Sequence, residues 1–143
     1  MQPDEVRARF AAAQVARLAT VDADGIPHLV PVCFAVDGDR IVTAVDHKPK
    51  RTSRLRRLAN IAAHPGVCLL VDAYDAADWT ALWWARADGA ARVLEEGDRT
   101  AEEAIASLVE RYPQYRLTRP AGPVIDIAVS RWSGWSANHP SDR

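Results

Sequence analysis

The chain has 143 residues and a mass of 15.7 kDa, with 48% hydrophobic and 26% charged residues and a formal net charge of -1 from 18 Lys and Arg against 19 Asp and Glu. That length holds about one domain, expected to span residues 1–143, and the even charge balance excludes a uniformly basic nucleic-acid binder and an acidic disordered chain. The two cysteines, Cys33 and Cys68, lie in apolar runs without CxxC spacing. That arrangement suggests neither a disulfide framework nor a zinc site and fits a reducing compartment.

The opening Met1-Gln2-Pro3-Asp4-Glu5 lacks the basic start and apolar stretch of a secretory signal. No apolar run reaches the roughly 18 residues of a membrane span. A cytoplasmic protein with no membrane partner is expected.

Val6, Phe10 and Ala13 give residues 4–13 a helical stripe. From Val15 the pattern turns strand-like and runs to Val21, ending at the turn signal Asp24-Gly25. Ile26 to Val36 reads as a second strand interrupted by Pro27 and Pro31. Proline gives no ladder donor, so those positions suggest an edge, a bulge or a ligand-facing gap. Asp37-Gly38 predicts another hairpin, and Arg40 to Val45 a third strand, so the three form an expected antiparallel meander. A helix opens at about Thr52, carries Leu55, Leu58, Ala59 and Ala62, and stops at His64-Pro65-Gly66. Val67 to Tyr74 is a fourth strand and Trp79 to Val93 a fifth.

The fifth strand places Trp79, Ala81, Trp83, Ala85 and Ala87 on one face and Thr80, Leu82, Trp84, Arg86 and Asp88 on the other. Tryptophan on both faces predicts that neither meets water along the first half. One face fills a small barrel, and the other meets another element or a second subunit. Thr100-Ala101-Glu102-Glu103 is a capping-box pattern that starts a helix with Ala104, Ile105, Leu108 and Tyr112 on one face, stopped at Pro113. Val124 to Val129 is the last strand, followed by Arg131-Trp132-Ser133-Gly134-Trp135, and the polar tail from Ser136 is expected to fray. The pattern predicts a mainly β fold with flanking helices, a six-stranded antiparallel barrel.

The sharpest chemical feature is His47 to Arg57, with six Lys or Arg residues and no acid. The run crosses a strand-to-helix junction, and a helix N-terminus stabilises phosphate through unpaired N–H groups. Lys48, Lys50, Arg51 and Arg54 add charge, and arginine grips phosphate with two parallel hydrogen bonds. A solvated basic helix face is the competing explanation, above all for Arg56 and Arg57. Nucleic acid requires a wider basic surface with exposed aromatics beside it. A single anionic small molecule is the better match.

His28, His47, His64 and His139 share no metal-ligand spacing, and no GxSxG, GxGxxG or P-loop motif occurs. No metal is expected and no catalytic side chain stands out. An anion site with aromatic walls and no evident acid or base points to a bound cofactor that carries the chemistry. Trp83, Trp84, Trp132 and Trp135 are candidates to wall its ring, with core and interface packing the competing role for at least two of them.

Val15-Ala16-Arg17-Leu18-Ala19-Thr20-Val21 with Asp24-Gly25-Ile26-Pro27-His28, then Pro31-Val32-Cys33-Phe34, Lys48-Pro49-Lys50, Asn60-Ile61 with His64-Pro65, and Val71-Asp72, resembles the pyridoxamine-phosphate-oxidase-like split β-barrels. Asp78-Trp79, Leu82-Trp83-Trp84, Arg86-Ala87-Asp88-Gly89 and Gly122-Pro123-Val124-Ile125 with Arg131-Trp132 resemble an actinobacterial branch described as coenzyme F420-dependent oxidoreductases. The resemblance covers about residues 8 to 135.

It implies a homodimer of split barrels with two cofactor sites at the subunit interface, each built from both chains. Lys48, Lys50, Arg51, Arg54 and Arg57 would hold the cofactor phosphate. Pro31, Val32 and Cys33 would lie along the ring, and Trp83 or Trp84 would approach from the partner. The implied activity is hydride transfer from reduced F420 to an unsaturated or conjugated small organic acceptor. FMN is the alternative cofactor, and a non-catalytic carrier or sensor of a flavin, deazaflavin or haem-like ligand is the alternative class. The C-terminal Trp and Arg pattern of true pyridoxamine-phosphate oxidases is not found in full, which argues against vitamin B6 oxidation.

Overall fold

The computed structural model describes residues 1–45 and 51–138, with residues 51–55 described by backbone alone. Helix α1, Pro3–Ala12, starts at a proline, carries Asp4 and Glu5 in its first turn and Arg9 in its last. Each of those placements suits the helix dipole. It buries Val6 and Phe10, one turn apart. The strands are β1 Ala16–Val21, β2 Pro27–Val32, β3 Ala35–Asp37, β4 Arg40–Ala44, β5 Gly66–Ala73, β6 Trp83–Leu94 and β7 Val124–Ser136. Helices α2 Arg51–Ala63, α3 Arg99–Arg111 and α4 Pro113–Leu117 complete the order.

All seven strands form one sheet in the order β2-β1-β5-β6-β7-β4-β3. The expected second strand is therefore two strands at opposite edges: β2 pairs with β1 and β3 with β4. The three-strand meander gives way to two separate hairpins, and the sheet has seven strands rather than six. Only Cys33 and Phe34 join the two edges. Six strand spacings of about 4.8 Å would part the edges of a flat sheet by about 29 Å. The three Cα steps from Val32 to Ala35 reach at most about 11 Å. The sheet must curl until its edges approach, which gives a split barrel.

The alternation of each strand fills that barrel. Leu18, Leu69, Val71, Ala85 and Ala87 point inward and are fully buried, with Phe10 and Phe34 closing one end. Outside the β3–β4–β7 half, α3 lays Ala101, Ala104, Ile105 and Leu108 against Val42, Ala44 and Val124. The predicted apolar face of this helix is the buried one. Its cap is Asp98 rather than Thr100, because the Asp98 carboxylate accepts from the N–H groups of Thr100 and Ala101. The final strand runs without a break through the Arg131-Trp132 segment to Ser136, and the Ala137 N–H donates to the Leu82 carbonyl.

Trp79 belongs to a short 3-10 turn, Trp79–Ala81, and is exposed, so the fifth strand starts at Trp83. The Asp78 carboxylate accepts from the N–H and hydroxyl of Thr80, a local bond that replaces strand pairing. Between Asp88 and Gly89 the β6–β7 register slips by one residue at a bulge. A Cβ on Gly89 would lie 2.2 Å from the Ala128 carbonyl oxygen, which is backbone and fixed in the ladder. Gly89→Ala is expected to lower the unfolding free energy by about 1–3 kcal/mol. A melting temperature equal to the parent's would contradict that close approach.

Asp39, in the β3–β4 turn, ties α1 to the barrel. Its Oδ1 accepts from Nε1 of Trp132 at 2.9 Å and from a guanidinium nitrogen of Arg7 at 2.6 Å. These two hydrogen bonds, the Trp132 one first, hold its carboxyl below the usual carboxylate range. The carboxylate's contribution is therefore complete above the unfolded pKa of about 4 and is lost as pH falls through the folded value. Melting curves of the parent and Asp39→Asn should differ at neutral pH and converge on acidification. A constant difference down to about pH 2 would remove Asp39 from the linkage.

Candidate functional site

The predicted site residues divide among three places. Pro31 and Val32 sit in β2, an edge strand paired only with β1. Both prolines of this stretch, Pro27 and Pro31, lie in that edge strand, where a missing N–H is tolerated. Pro31 faces outward and is exposed, whereas Val32 is buried in the barrel core. Cys33 is half-buried in the crossover and packs against the α3 cluster. A ligand lying along β2 would therefore meet the Pro31 ring and the backbone of Val32 and Cys33.

The basic run is the second place. Lys48 and Lys50 lie outside the described residues, while Arg51 and Arg54 belong to the first turns of α2. Arg57, one turn on, is half-buried. The helix is anchored where Asn60, itself buried, donates from Nδ2 to the Thr20 hydroxyl of β1 at 3.0 Å. Thr20 pairs with His28 of β2. This brings Arg56 and Arg57 beside His28, whose pKa is lowered first by burial and then by those two guanidinium charges. The Nδ1 of His28 is enclosed and makes no hydrogen bond among the described residues. Two guanidinium charges near the start of the edge strand fit a ligand that carries phosphate.

The paired tryptophans of β6 part onto opposite faces, as strand alternation demands. Trp83 packs against the barrel core with the Arg9 guanidinium 4.5 Å from its ring centre. Trp84 faces outward, level with Trp135 of β7 and Asp72 of β5. Along this outer face Pro31, Arg17, Leu70, Arg86 and Ser133 lie in one cross-strand row. β6 is three strands from β2, about 14 Å along the sheet. Within one chain neither tryptophan reaches the edge strand.

Sequence reasoning assigned no role to Arg17 or His28. Arg17 sits directly across from Pro31. It also lines a groove of about 350 Å³ at the α1–β1 junction with Arg9, Gln14, Val15, Asp72 and Trp83. Two guanidinium groups against one carboxylate make this groove favour an anionic group. Strand pairing is the signal that would have found Arg17. Helix docking, which sequence does not reveal, decides which cations lie beside His28. Cys68 lies on the outer face, where burial first and then the Asp88 charge push its thiol up, which disfavours the thiolate. Among the described residues no group of three His, Cys, Asp or Glu is placed to hold a metal, and no helix is long and apolar enough to cross a membrane.

Comparison with known proteins agrees with this architecture. A reductase of 5a,11a-dehydrotetracycline and 5a,11a-dehydrooxytetracycline from Streptomyces rimosus is 34% identical over 83 residues, 58% of this chain and 57% of that protein. The chain thus spans little more than half the length of this relative. A conserved hypothetical protein from Mycobacterium tuberculosis superimposes with a TM-score of 0.76 at 22% identity, over 96% of this chain and 86% of that one. A heme storage protein from Vibrio cholerae does so with a TM-score of 0.71 at 18% identity, over 97% and 100%. At those identities the two structures share the fold alone. The model of the pyridoxamine 5'-phosphate oxidase family matches residues 2–136, nearly the whole chain, and the protein belongs to that family.

Proposed function

We propose that this chain is an F420-dependent oxidoreductase, working as a cytoplasmic homodimer that reduces an unsaturated or conjugated small organic molecule. The observation that carries the reading is that α2, anchored on β1 by the Asn60–Thr20 hydrogen bond, brings the Arg56 and Arg57 charges to bear on His28 of the proline-bearing edge strand β2. The run at Lys48, Lys50, Arg51, Arg54 and Arg57 would take the coenzyme phosphate, with His28 beside it. Exposed Pro31 and the backbone of Val32 and Cys33 would support one side of the ring. The coenzyme, when bound, supplies the hydride. The protein's part is to fix the phosphate, orient the ring and keep one of its faces open to the acceptor, and positioning of that kind lowers a barrier substantially.

The outer face of β1, β5 and β6 supports a dimer. α3 covers the other half of the sheet, but half-buried Trp84 and exposed Leu29 and Leu70 are left on this side. A second copy laid on that face would bring Trp84, which lies about 14 Å from β2 in its own chain, toward the partner's edge strand. The reductase from Streptomyces rimosus supports a reductive step on a dehydro compound. FMN remains the alternative coenzyme, since it presents the same ribityl phosphate to the same cations. A carrier of a flavin, deazaflavin or haem-like ligand is the alternative without chemistry.

Turnover separates enzyme from carrier. Reduced F420 mixed with the protein and a panel of conjugated acceptors, dehydrotetracycline among them, should be oxidised over many cycles. Tight coenzyme binding with no oxidation by any acceptor would leave the carrier.

A further inference from the structure

The two residues that join the edges of the split, Cys33 and Phe34, are held by side chains of other elements, one of them 78 residues away. Thr43 of β4, fully buried, donates its hydroxyl to the Cys33 carbonyl at 2.7 Å. At the C-terminus of α3, the buried Tyr112 hydroxyl accepts from the Phe34 N–H at 3.0 Å. Its single proton serves the carbonyls of Phe34 at 2.9 Å and Gln14 at 3.1 Å. The neighbouring Arg111 donates to the Ala13 carbonyl and lays its guanidinium 4.8 Å from the centre of the Phe34 ring. One end of α3 thus grips both the exit of β2 and the α1–β1 loop. Ala13 and Gln14 of that loop line the groove beside Arg17.

We propose that Tyr112 is a positioning residue, which fixes the Pro31–Cys33 segment against the Gln14 loop and so sets where a coenzyme ring lies relative to the groove. The inference rests on the coenzyme reading above, but not on which of the two coenzymes binds. β2 pairs on one side only, and beyond Val32 no strand holds the chain until Ala35. Over that gap the hydroxyls of Tyr112 and Thr43 replace the missing ladder. Burial, the largest influence on its pKa, raises the Tyr112 phenol, so it keeps its proton as a donor at neutral pH. Neither hydroxyl touches the outer surface of β2, so each acts through the backbone rather than on a ligand.

The test uses the full chain, with F420 and FMN titrated separately by fluorescence well below the melting temperature. Tyr112→Phe keeps the ring and removes the hydroxyl; Thr43→Val removes the second donor and Thr43→Ser restores it. Tyr112→Phe and Thr43→Val should each bind the coenzyme about tenfold more weakly, as the loss of buried hydrogen bonds implies. At saturation their bound coenzyme should show a shifted emission spectrum, and Thr43→Ser should match the parent in both measurements. Variants that melt lower but keep the parent's affinity and bound spectrum would make the latch purely structural and overturn the inference. A parent that binds neither coenzyme would overturn the coenzyme reading itself and take the inference with it.

Discussion

Phe10→Ala is expected to lower the unfolding free energy by about 3–5 kcal/mol, the usual cost of emptying a fully buried aromatic site. Phe10 is completely buried and makes edge-to-face contacts with Phe34 at 5.9 Å and Trp132 at 5.6 Å. Those rings belong to the crossover and to β7, so truncation opens the end of the barrel that α1 closes. α1 has only 10 residues, too few to persist as an isolated helix, and Val6 and Phe10 are its buried anchors. Denaturant unfolding measures the effect. A loss below about 1 kcal/mol would mean that α1 is not part of the cooperative core.

The second large effect concerns binding. Lys50→Ala together with Arg51→Ala should weaken coenzyme binding by about 3 kcal/mol, more than a hundredfold, because a hydrogen bond to a charged group contributes roughly 1.5–3 kcal/mol. Arg51 opens α2, and Lys50 immediately precedes it. Arg99→Ala is the control for net charge, since Arg99 lies on the open face of α3 with its side chain 94% exposed. An unchanged affinity in the double variant would take this loop out of the site. A loss about half as large in Arg99→Ala, which removes one charge rather than two, would reduce the effect to general electrostatics.

Much of the fold was legible because side-chain alternation and turn chemistry are local. Ala85 and Ala87 are buried on one side of β6 and Trp84, Arg86 and Asp88 lie on the other, as a period of two requires. The Asp24-Gly25 turn forms, with Gly25 at φ 82° and the Asp22 carboxylate accepting from Asp24 and Ile26. Partner choice is not local. Residues 26–36 have the composition of one strand, yet the break at Cys33 and Phe34 sends its halves to opposite edges, fixed by Thr43 and by Tyr112 far along the chain. Trp79 misled for a related reason: an aspartate one residue before it offers its neighbours a better bond than a ladder does. α4 passed unnoticed because Pro113, read as a stop, is also a favourable first residue for a new helix.

The candidate site was legible as a cluster of charge but not as a place in the fold. A run of six cations is plain in the sequence. That α2 swings Arg56 and Arg57 over His28 depends on the Asn60–Thr20 hydrogen bond, and 40 residues separate those two partners. The same holds for Arg17, whose position across from Pro31 comes from pairing alone.

The coenzyme assignment is tested most directly by parallel fluorescence titration of the purified protein with F420 and with FMN, and with hemin followed by absorbance. The account predicts submicromolar binding of F420, weaker binding of FMN and no saturable binding of hemin. Submicromolar FMN or hemin binding without any of F420 would contradict it.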